Sequence, residues 1–389
     1  MKIIYNRIMQ LSFPVKNNYT ILALGAESSG NFSVYKNGKI FFSKDFGDLL
    51  NEEKWLVYKK TVLSYLKIHN MQPDIILIDL HPLFNTTHWG KELAQKYNAR
   101  LIQIQHHLAH IFSAVGDKII HNVSYTVPNT FYGIACDGTG YGLDGHIWGG
   151  EIFKITKNKF KHQHIGHLEN QTLIGNDLAI REPARMLISI LNKFLNKEKV
   201  YSFVKKYYSK NDFELLYNQL QQNFNCEYSS SVGRILDAVS LLLGFCGNER
   251  KYKHEPIDLL EKNSIKSYTD IRPKITISKD NYVLDTTFLF KYLIKNINQN
   301  KKRLAATAQL YIARGLYEII NKYHSNFVLK SKQTSKQVKS NNIFFAGGMA
   351  NNKIISEYLT SQNVYISQNI PRGDAGLSFG QIVYYLLLK

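Results

Sequence analysis

Two apolar strands that each run directly into small residues constrain the fold of this chain most strongly. The first spans Ile21 to Glu27 and leads into Ser28-Ser29-Gly30-Asn31, and the second spans Phe131 to Asp137 and leads into a glycine loop, Gly138 to Gly142. A hairpin pattern follows each of them, and helices and further strands come after it. This recurrence favours a duplicated α/β fold around a cleft, although the sequence repeat itself is too weak to prove it.

The order of apolar periodicities predicts where the two halves lie. We predict an irregular lead-in over residues 1–18, a first α/β lobe over 19–130 and a second over 131–389, with a helical insertion at about 176–250. Apart from a hairpin over 32–44, the other predicted strands or β-rich passages cover 74–79, 101–105, 275–284, 342–345 and 364–366. Predicted helices cover 51–67, 87–97, 184–194, 199–208, 212–224, 232–243, 305–323, 351–361 and 375–388. Neither a P-loop nor a Rossmann glycine fingerprint occurs in this pattern.

The composition is that of an ordinary soluble globular protein, with 44% hydrophobic and 20% charged residues. The longest apolar runs are far too short to span a bilayer, and the first residues lack the apolar region of a signal peptide. The three cysteines, Cys136, Cys226 and Cys246, are scattered and form no CxxC pair. We therefore expect a cytoplasmic protein without membrane association.

The net charge of +19 is compatible with nucleic acid, an acidic protein partner or an anionic substrate. Lysine is abundant along the whole chain, however, which also indicates a general compositional bias. The densest basic runs, at 300–303 and 329–340, have the composition of solvated loops. We therefore favour solvated loops over a nucleic-acid surface.

Three histidines fall within the segment Gln105 to His110, directly after an apolar strand. If a helix begins there, His106 and His110 lie one turn apart on one face, where two imidazoles can hold one metal ion. The spacing is short and common, so a helix start with solvated histidines is the alternative. His107 points to a different face of such a helix and is not an expected ligand.

Two carboxylates lie at positions where they could complete a metal site. Asp137 ends a strand before a glycine-rich stretch, and it could hold a metal or receive a proton; the alternative is an ordinary Asp-Gly turn. Asp374 lies at the start of the last helix. There it could cap the helix or bind a metal together with His106 and His110.

Further glycines and acids suggest a ligand cleft. Gly347 and Gly348 join a strand to the helix that follows Asn352, and bare glycines permit close approach of a flat ligand or a phosphate. A tight connection is the alternative, but one glycine would suffice for it. Asp237, one turn after Gly233, could accept a hydrogen bond from a ribose hydroxyl or be an exposed helical acid. No nucleophile elbow and no activated cysteine occur, so covalent catalysis is not expected.

Eight blocks in order resemble the C-terminal carbamoyltransferase domain of the hydrogenase-maturation family HypF, from about residue 20 onwards. The DGTGYG…WGGE block and the QHHxAH block are specific to that family, whereas the tRNA threonylcarbamoyltransferase family shares only the HxxxH and Gly-Gly…Asn motifs. The blocks are LALGAE with Asn31-Phe32, IDLHP (78–82), QHHLAH (105–110), ACDGTGYGLDGHIWGGE (135–151), IREPARM (180–186), SSVGRILDAVSLLLG (230–244), AGGMANN (346–352) and PRGDAGLSFGQ (371–381).

The resemblance implies an α/β, duplicated actin/hexokinase-like fold with a nucleotide between its two lobes. It implies that His106 and His110 bind iron or zinc, with Asp374 and Asp137 completing the shell. Asp137 and His107 are the candidates for catalytic roles. The residues expected to hold ATP or carbamoyl-adenylate, with an accompanying magnesium ion, are Gly138, Gly140, Gly233, Asp237, Gly347, Gly348 and Asn352.

The activity implied by the resemblance is carbamoyl transfer from carbamoyl-adenylate to the C-terminal cysteine of a HypE-like protein, for the cyanide ligand of a [NiFe] centre. The acylphosphatase-like, zinc-binding and YrdC-like parts of full-length HypF are absent from the sequence, so we expect a separate chain to make the adenylate, or a different acceptor. Two local departures are His254-Glu255-Pro256-Ile257, in place of Gly-Gln-Ala-Ala, and Ser28-Ser29-Gly30, where HypF more often has Leu-Lys. The first bears on the expected pocket.

Two other functions stay open at this point. One is a tRNA threonylcarbamoyl transferase, for which the net charge is the main support. The other is a non-catalytic binding module that retains the fold. We favour the carbamoyltransferase, because the HypF-specific blocks are present.

Overall fold

The computed structural model describes residues 8–122, 124–159, 161–331 and 342–388, which form two β-sheets with helices packed against them. No helix in these ranges is long and apolar enough to cross a bilayer. The strands are β1 Ile8–Ser12, β2 Ile21–Ala23, β3 Ser33–Lys36, β4 Lys39–Ser43, β5 Ile75–Asp79, β6 Arg100–Ile104, β7 Thr130–Tyr141, β8 Ile147–Thr156, β9 Lys161–Leu168, β10 Gln171–Ile174, β11 Cys226–Ser229, β12 Ile275–Ser278, β13 Asn281–Leu284, β14 Ile343–Ala346 and β15 Tyr365–Ile366. The helices are α1 Glu52–Ile68, α2 Asn85–Tyr97, α3 His106–His121, α4 Asp177–Arg181, α5 Pro183–Asn192, α6 Lys197–Val204, α7 Lys210–Gln221, α8 Val232–Leu243, α9 Glu255–Lys262, α10 Thr286–Lys295, α11 Lys301–Ser331, α12 Lys353–Ser361 and α13 Leu377–Leu388.

The first sheet has the strand order β1-β4-β3-β2-β5-β6. Strands β2, β3 and β4 pair antiparallel, whereas β5 and β6 run parallel to β2. The hairpin between β3 and β4 turns at Asn37 and Gly38, which both have positive φ angles, as the Asn-Gly pair predicts. Helix α1 begins after Asn51, whose side chain accepts a hydrogen bond from the backbone N–H of Lys54, and this confirms the predicted cap.

The second sheet repeats the same arrangement in β9-β8-β7-β14-β15. Its central strand β7 pairs antiparallel with β8, and β8 pairs antiparallel with β9, whereas β14 and β15 run parallel to β7 on the other side. The β12–β13 hairpin extends the sheet beyond β9. One strand order occurring twice confirms the predicted fold class, a duplicated actin/hexokinase-like α/β fold.

The apolar core between the two sheets is built on α3 and α13. It includes Ile21 of the first sheet, Phe131 and Phe344 of the second, and Phe112 and Phe379 of the two helices, all of them fully buried. Helix α13 packs against strands of the first sheet and against α3, and α3 in turn packs against β7 and β14 of the second sheet. The lobe boundary that we predict at residue 130 stays a prediction.

Several predictions of local structure are wrong. The lead-in contains β1, an edge strand that pairs antiparallel with β4, while residues 1–7 lie outside the described ranges. Strand β11, which was not predicted, lies between the predicted helices 212–224 and 232–243 and pairs with β10. The basic run at 300–303 begins α11 instead of forming a loop, because the Asn300 side chain accepts from the backbone N–H groups of Lys302 and Arg303. Most of the basic run at 329–340 lies outside the described ranges.

The glycine-rich stretch after Asp137 is part of a strand and not a loop. Strand β7 continues to Tyr141, with a register shift against β8 between Cys136 and Gly140. An added Cβ at Gly140 would lie 2.9 Å from Nε2 of His107. Glycine is required here because a side chain would collide with helix α3. The bulge in the strand turns this stretch of β7 toward that helix.

Helix α3 is held against the chain segment that leads into α13. Its buried Asp117 accepts hydrogen bonds from the hydroxyl of Tyr365 (2.7 Å) and from the backbone N–H groups of Gln368 (2.9 Å) and Ile370 (2.9 Å). Backbone donors in a buried segment need such partners, because an unpaired buried N–H is costly. These bonds fix the position of residues 365–370, a few residues before Asp374.

Glycines allow the two helices themselves to touch. A Cβ added at Gly380 of α13 would overlap the carbonyl oxygen of Ala109 in α3, and one at Gly116 would lie 2.6 Å from Cε1 of Phe379. Backbone atoms cannot yield as a flexible side chain can. The α3–α13 crossing therefore depends on glycine at position 380.

We expect Gly380→Ala to lower the free energy of unfolding by about 1–3 kcal/mol, because the added methyl group forces the two helices apart. Gly247→Ala is the matched control, since the nearest heavy atom to its added Cβ is 4.0 Å away. That control should change the free energy by less than about 0.5 kcal/mol. Chemical denaturation of both variants measures the difference, and equal stabilities would contradict the assigned crossing.

Candidate active site

Helix α3 begins at His106, as the spacing requires. The side chain of Gln105 caps it by accepting from the backbone N–H of Leu108 (3.0 Å). His106 and His110 are 2% and 0% exposed, and their Nε2 atoms lie 3.1 Å apart. The alternative of solvated histidines is wrong, because both imidazoles are buried and face each other.

Two carboxylates converge on the same point from distant parts of the chain. Oδ2 of Asp137, in β7, lies 3.3 Å from Nε2 of His106 and 3.1 Å from Nε2 of His110. Oδ1 of Asp374, in a short 3-10 turn before α13, lies 3.4 Å and 3.3 Å from the same two atoms. Asp374 does not cap the helix; its other oxygen accepts from the hydroxyl of Ser28.

The four side chains fit a metal ion. One potential ligand atom from each lies within 4.8 Å of all the others. A tetrahedral ion with bonds of about 2.0–2.2 Å would set its ligands about 3.4 Å apart, and the measured separations are close to that value. Oδ1 of Asp374 is also buried with no hydrogen-bond partner among the described residues. Two imidazole nitrogens and two carboxylate oxygens suit zinc or iron.

Asp79 orients one of the histidines, and the sequence reasoning assigned it no role. This fully buried carboxylate accepts from Nδ1 of His106 at 2.7 Å, and its other oxygen accepts from the backbone N–H of His81 at 2.8 Å. Ligating histidines commonly donate their second ring nitrogen to a carboxylate, which fixes the tautomer and turns Nε2 toward the metal. The role of Asp79 could have been predicted from the strand order. Strands β5 and β6 are parallel neighbours, so Asp79 at the end of β5 and the histidines that follow β6 lie at the same edge of the sheet.

The cluster is electrostatically balanced by its own charges. Burial would lower the pKa of His106, but Asp79, Asp137 and Asp374 more than offset it and hold that pKa well above its ordinary value. The pKa of His110 is also raised, since Asp137 and Asp374 outweigh burial. Burial would raise the pKa values of both aspartates, and Asp374 would raise that of Asp137 further, yet the two histidines hold both pKa values below their ordinary range. The carboxylates are thus ionised, and a bound cation would compete with protons on the histidines.

His107 lies apart from the four-residue cluster. It is fully buried, its Nδ1 lies 2.9 Å from Nε2 of Gln105, and its Nε2 has no hydrogen-bond partner in the described part of the chain. Burial and the neighbouring His106 lower its pKa to about 3, so the ring is neutral at neutral pH. It does not line the cleft described next, and its catalytic role stays a prediction.

A cleft of about 490 Å³ opens beside the cluster. Asp137 and Asp374 line it and are 15% and 16% exposed, so the ligand cluster and the cleft are continuous. Of the residues expected at a nucleotide, Gly138, Gly348 and Asn352 line this cleft, whereas Gly140, Gly233, Asp237 and Gly347 do not. Their binding roles stay predictions.

The structure explains why glycine occupies both positions of the Gly347-Gly348 pair. Gly347 has a φ of +94°, which favours glycine, and a Cβ there would overlap the carbonyl oxygen of Cys136. A Cβ at Gly348 would lie 2.9 Å from Oδ1 of Asp137. The side chain of Asn352 already has hydrogen-bond partners within the protein. It caps α12 by accepting from the backbone N–H of Ile355, and it donates to Oε1 of Gln309 (2.8 Å).

Asp237 is not an exposed helical acid, and that alternative is wrong because the residue is 1% exposed. Its Oδ2 pairs with Nη2 of Arg234 (3.0 Å) and with Nη2 of Arg250. Both arginines line the cleft, and the sequence reasoning assigned neither of them. Arg234 stood within a recognised block, but nothing in the sequence marked Arg250, which lies between two helices.

Comparison with known proteins places these features in one family. The family model described as "Carbamoyltransferase, Kae1-like Domain, second subdomain" matches residues 133–381, and the model described as "HypF Kae1-like domain" matches residues 16–117. The probable carbamoyltransferase HypF of Methanocaldococcus jannaschii is 37% identical over 96% of this chain, which covers 47% of that protein. The carbamoyltransferase HypF of Synechocystis sp. is 27% identical over 76% of this chain and 39% of its own length. The chain thus spans about half the length of these relatives, or less.

Solved structures agree with the sequence matches. A crystal structure of full-length HypF in the phosphate- and nucleotide-bound form superposes with a TM-score of 0.83 at 26% identity, over 97% of this chain and 57% of that one. The crystal structure of T. kodakarensis HypF gives 0.82 at 28% identity, over 97% and 49%.

We expect His110→Ala to abolish stoichiometric metal binding, because it removes one of two buried imidazole ligands. After dialysis against zinc and removal of excess metal, elemental mass spectrometry should find about one ion per wild-type chain and almost none in the variant. His88→Ala, which changes an exposed histidine of α2, should retain the ion. Equal metal content in the wild type and His110→Ala would show that the cluster is not the site.

We expect Asp79→Asn to weaken metal affinity by about 10- to 100-fold while stoichiometry at saturating metal is kept, because the four ligands remain but His106 loses its orienting carboxylate. Competition with a chelator measures the affinity. Asp74→Asn, at the opposite end of β5, removes a carboxylate that accepts from the backbone N–H of Thr20 and should leave affinity unchanged. An unchanged affinity in Asp79→Asn would contradict its orienting role.

Proposed function

Because this chain belongs to the HypF carbamoyltransferase family, we propose that it transfers a carbamoyl group from carbamoyl-adenylate to a cysteine thiol of an acceptor protein. One observation carries the proposal. Asp137 and Asp374 belong both to the buried four-residue cluster and to the wall of the cleft. A substrate in the cleft would therefore place its reacting carbonyl within reach of the cluster.

The chain's own residues prepare one end of the cleft for acyl transfer. Zinc or iron held by His106, His110, Asp137 and Asp374 would supply a Lewis acid there. Asp79 keeps His106 in the tautomer that directs Nε2 at this point. Gly348 leaves room beside the Asp137 carboxylate, and the Ser28 hydroxyl fixes the outer oxygen of Asp374. Groups fixed before the reaction need no reorganisation during it.

The attacking thiol belongs to a partner in this proposal. Burial raises the pKa of Cys136 well above its ordinary value and the pKa of Cys246 to about 11. Burial raises the pKa of Cys226 as well, and none of the three cysteines lines the cleft. All three are therefore protonated at neutral pH, whereas the nucleophile must be a thiolate. A HypE-like protein with a C-terminal cysteine is the acceptor that we propose, and its thiocarboxamide would serve cyanide ligand formation in a [NiFe] hydrogenase.

We propose that a YrdC-like unit outside these 389 residues forms carbamoyl-adenylate and passes it to the cleft. A full-length HypF structure was solved in a nucleotide-bound form, which supports a nucleotide as a ligand of this family, and we propose this cleft as its site here. The accompanying magnesium ion and the cytoplasmic location stay predictions.

The tRNA threonylcarbamoyl transferase is not favoured, because the family models that match are those of HypF. Its main support was the net charge, and one of the two basic runs that we singled out begins helix α11. The alternative of a non-catalytic module makes a different prediction in the experiment below.

The test is transfer to an acceptor in a defined mixture of the chain, purified HypE, carbamoyl phosphate, ATP and an active YrdC-type enzyme. We expect HypE to gain the mass of one carbamoyl group at its C-terminal cysteine, measured by intact-protein mass spectrometry. His110→Ala should lose this gain, and His88→Ala should keep it. No gain with wild-type chain, while carbamoyl-adenylate is shown to form, would contradict the proposed function and favour the non-catalytic module.

A further inference from the structure

A pair of buried arginines forms one wall of the cleft. Arg234 lies in the first turn of α8, and Arg250 lies between α8 and α9. Both line the cleft, and their side chains are 6% and 8% exposed. Within ion-pair distance, the described residues offer them a single carboxylate, that of Asp237.

The two arginines have N–H donors that no described residue accepts. A guanidinium carries five N–H donors. Arg234 donates from Nη1 to the carbonyl oxygen of Ile180 (3.3 Å) and pairs through Nη2 with Asp237, while Arg250 donates from Nη1 to the carbonyl oxygen of Lys253 (2.8 Å) and pairs through Nη2 with the same carboxylate. The Nε atom of each arginine is buried and has no hydrogen-bond partner within the described ranges.

Among the described residues only Asp237 forms an ion pair with these two arginines; Asp258 and Glu261 also line the cleft but pair with neither of them. Two guanidiniums share one carboxylate, and Glu255, the next acid along, directs its Oε2 at the backbone N–H of Lys251. Burial, and then repulsion from Arg234, lower the pKa of Arg250 to about 10. A buried cation without a counter-charge is costly, so an anion in the cleft would relieve this wall.

The wall stands next to the metal-binding cluster. A Cβ built on Gly138 would lie 3.6 Å from Nη2 of Arg234, and Gly138 directly follows the cluster residue Asp137. An anion that contacts the arginines can therefore belong to the same small molecule as a carbonyl at the cluster. Guanidiniums recognise phosphate through paired N–H groups.

We propose that Arg234 and Arg250 bind the phosphate of the adenylate and stabilise the charge that develops on it as AMP leaves. This inference rests on the proposed function. In that reaction the acceptor thiolate sulfur bonds to the carbamoyl carbon, the bond from that carbon to the phosphate oxygen breaks, and its electron pair stays on this oxygen. The products are an S-carbamoyl acceptor and AMP, whose phosphate carries one more negative charge than in the anhydride. Donors fixed at that phosphate bind it more strongly in the transition state than in the substrate.

Asp237 then acts as a positioning residue. It holds both guanidiniums by one oxygen and touches neither the cluster nor the cleft. Asp237 therefore supports the phosphate site in this proposal, whereas the sequence left open a contact to a ribose hydroxyl or an exposed helical acid.

The test compares the affinities of AMP and adenosine, which differ only by the phosphate, by calorimetry or competition at fixed salt. We expect Arg250→Gln to weaken AMP binding by roughly 10- to 100-fold and to leave adenosine binding unchanged within about twofold, because hydrogen bonds to charged groups are lost. Arg272→Gln, an exposed arginine, removes the same charge elsewhere and should alter neither affinity. AMP affinity in Arg250→Gln that equals the wild type, or equal losses for both ligands, would overturn the proposal.

A second variant guards against misfolding. Arg250→Lys keeps a cation beside Asp237 but loses the planar fork, so it should retain the unfolding free energy and still lose AMP affinity more than adenosine affinity. Wild-type discrimination in this variant would overturn the proposal as well. The binding assay needs no transfer reaction, so the two proposals can fail separately. If Arg250→Gln loses AMP affinity selectively but the wild-type chain transfers no carbamoyl group, only the proposed function is refuted. If Arg250→Gln still transfers the group and binds AMP and adenosine as the wild type does, only this inference is refuted.

Discussion

Two buried carboxylates can face each other across two buried imidazoles only if positive charge lies between them. Asp137 and Asp374 repel, and burial favours their neutral forms, yet the two histidines hold both pKa values below the ordinary range. This charge balance brings together three segments that are far apart in sequence: the start of α3, the bulged β7 and the turn before α13. The same balance explains why the arrangement suits a metal ion, since a cation can replace protons on the imidazoles.

The rest of the fold keeps those segments in place. The α3–α13 crossing, closed by glycine at position 380, sets the helix with the histidines against the helix that follows Asp374. Asp117 holds the strand end that leads to this turn, and Asp79 holds the ring of His106. Each of these supports is a buried polar group with partners or a glycine that admits backbone contact. The cluster is therefore preorganised by the core and not by surface loops, as a site for acyl transfer requires.

The sequence allowed the strand–hairpin–helix order and the histidine pair to be predicted, because both depend on local periodicity. The carboxylates were harder, because Asp374 lies 264 residues beyond His110 and local spacing cannot relate residues so far apart. Their positions at a strand end and a helix start made them candidates, and the resemblance to HypF then favoured them as ligands over a turn or a helix cap. The sequence reasoning missed Asp79 and Arg250, whose roles depend on neighbours brought by the fold. The glycine-rich stretch was misjudged for a similar reason: its residues suit a loop in isolation but form a bulged strand when β8 pairs with them.

The cluster, the cleft beside it and the arginine wall describe one functional end of the molecule, where a cation, a carbonyl and a phosphate would meet. The central claim is that His106, His110, Asp137 and Asp374 hold one metal ion at the end of this cleft. Anomalous diffraction from crystals of the zinc-loaded chain tests it most directly. We predict one strong peak about 2.0–2.2 Å from both Nε2 atoms and from one oxygen of each carboxylate. A stoichiometric zinc peak elsewhere, with these four side chains bonded only to one another, would contradict the claim.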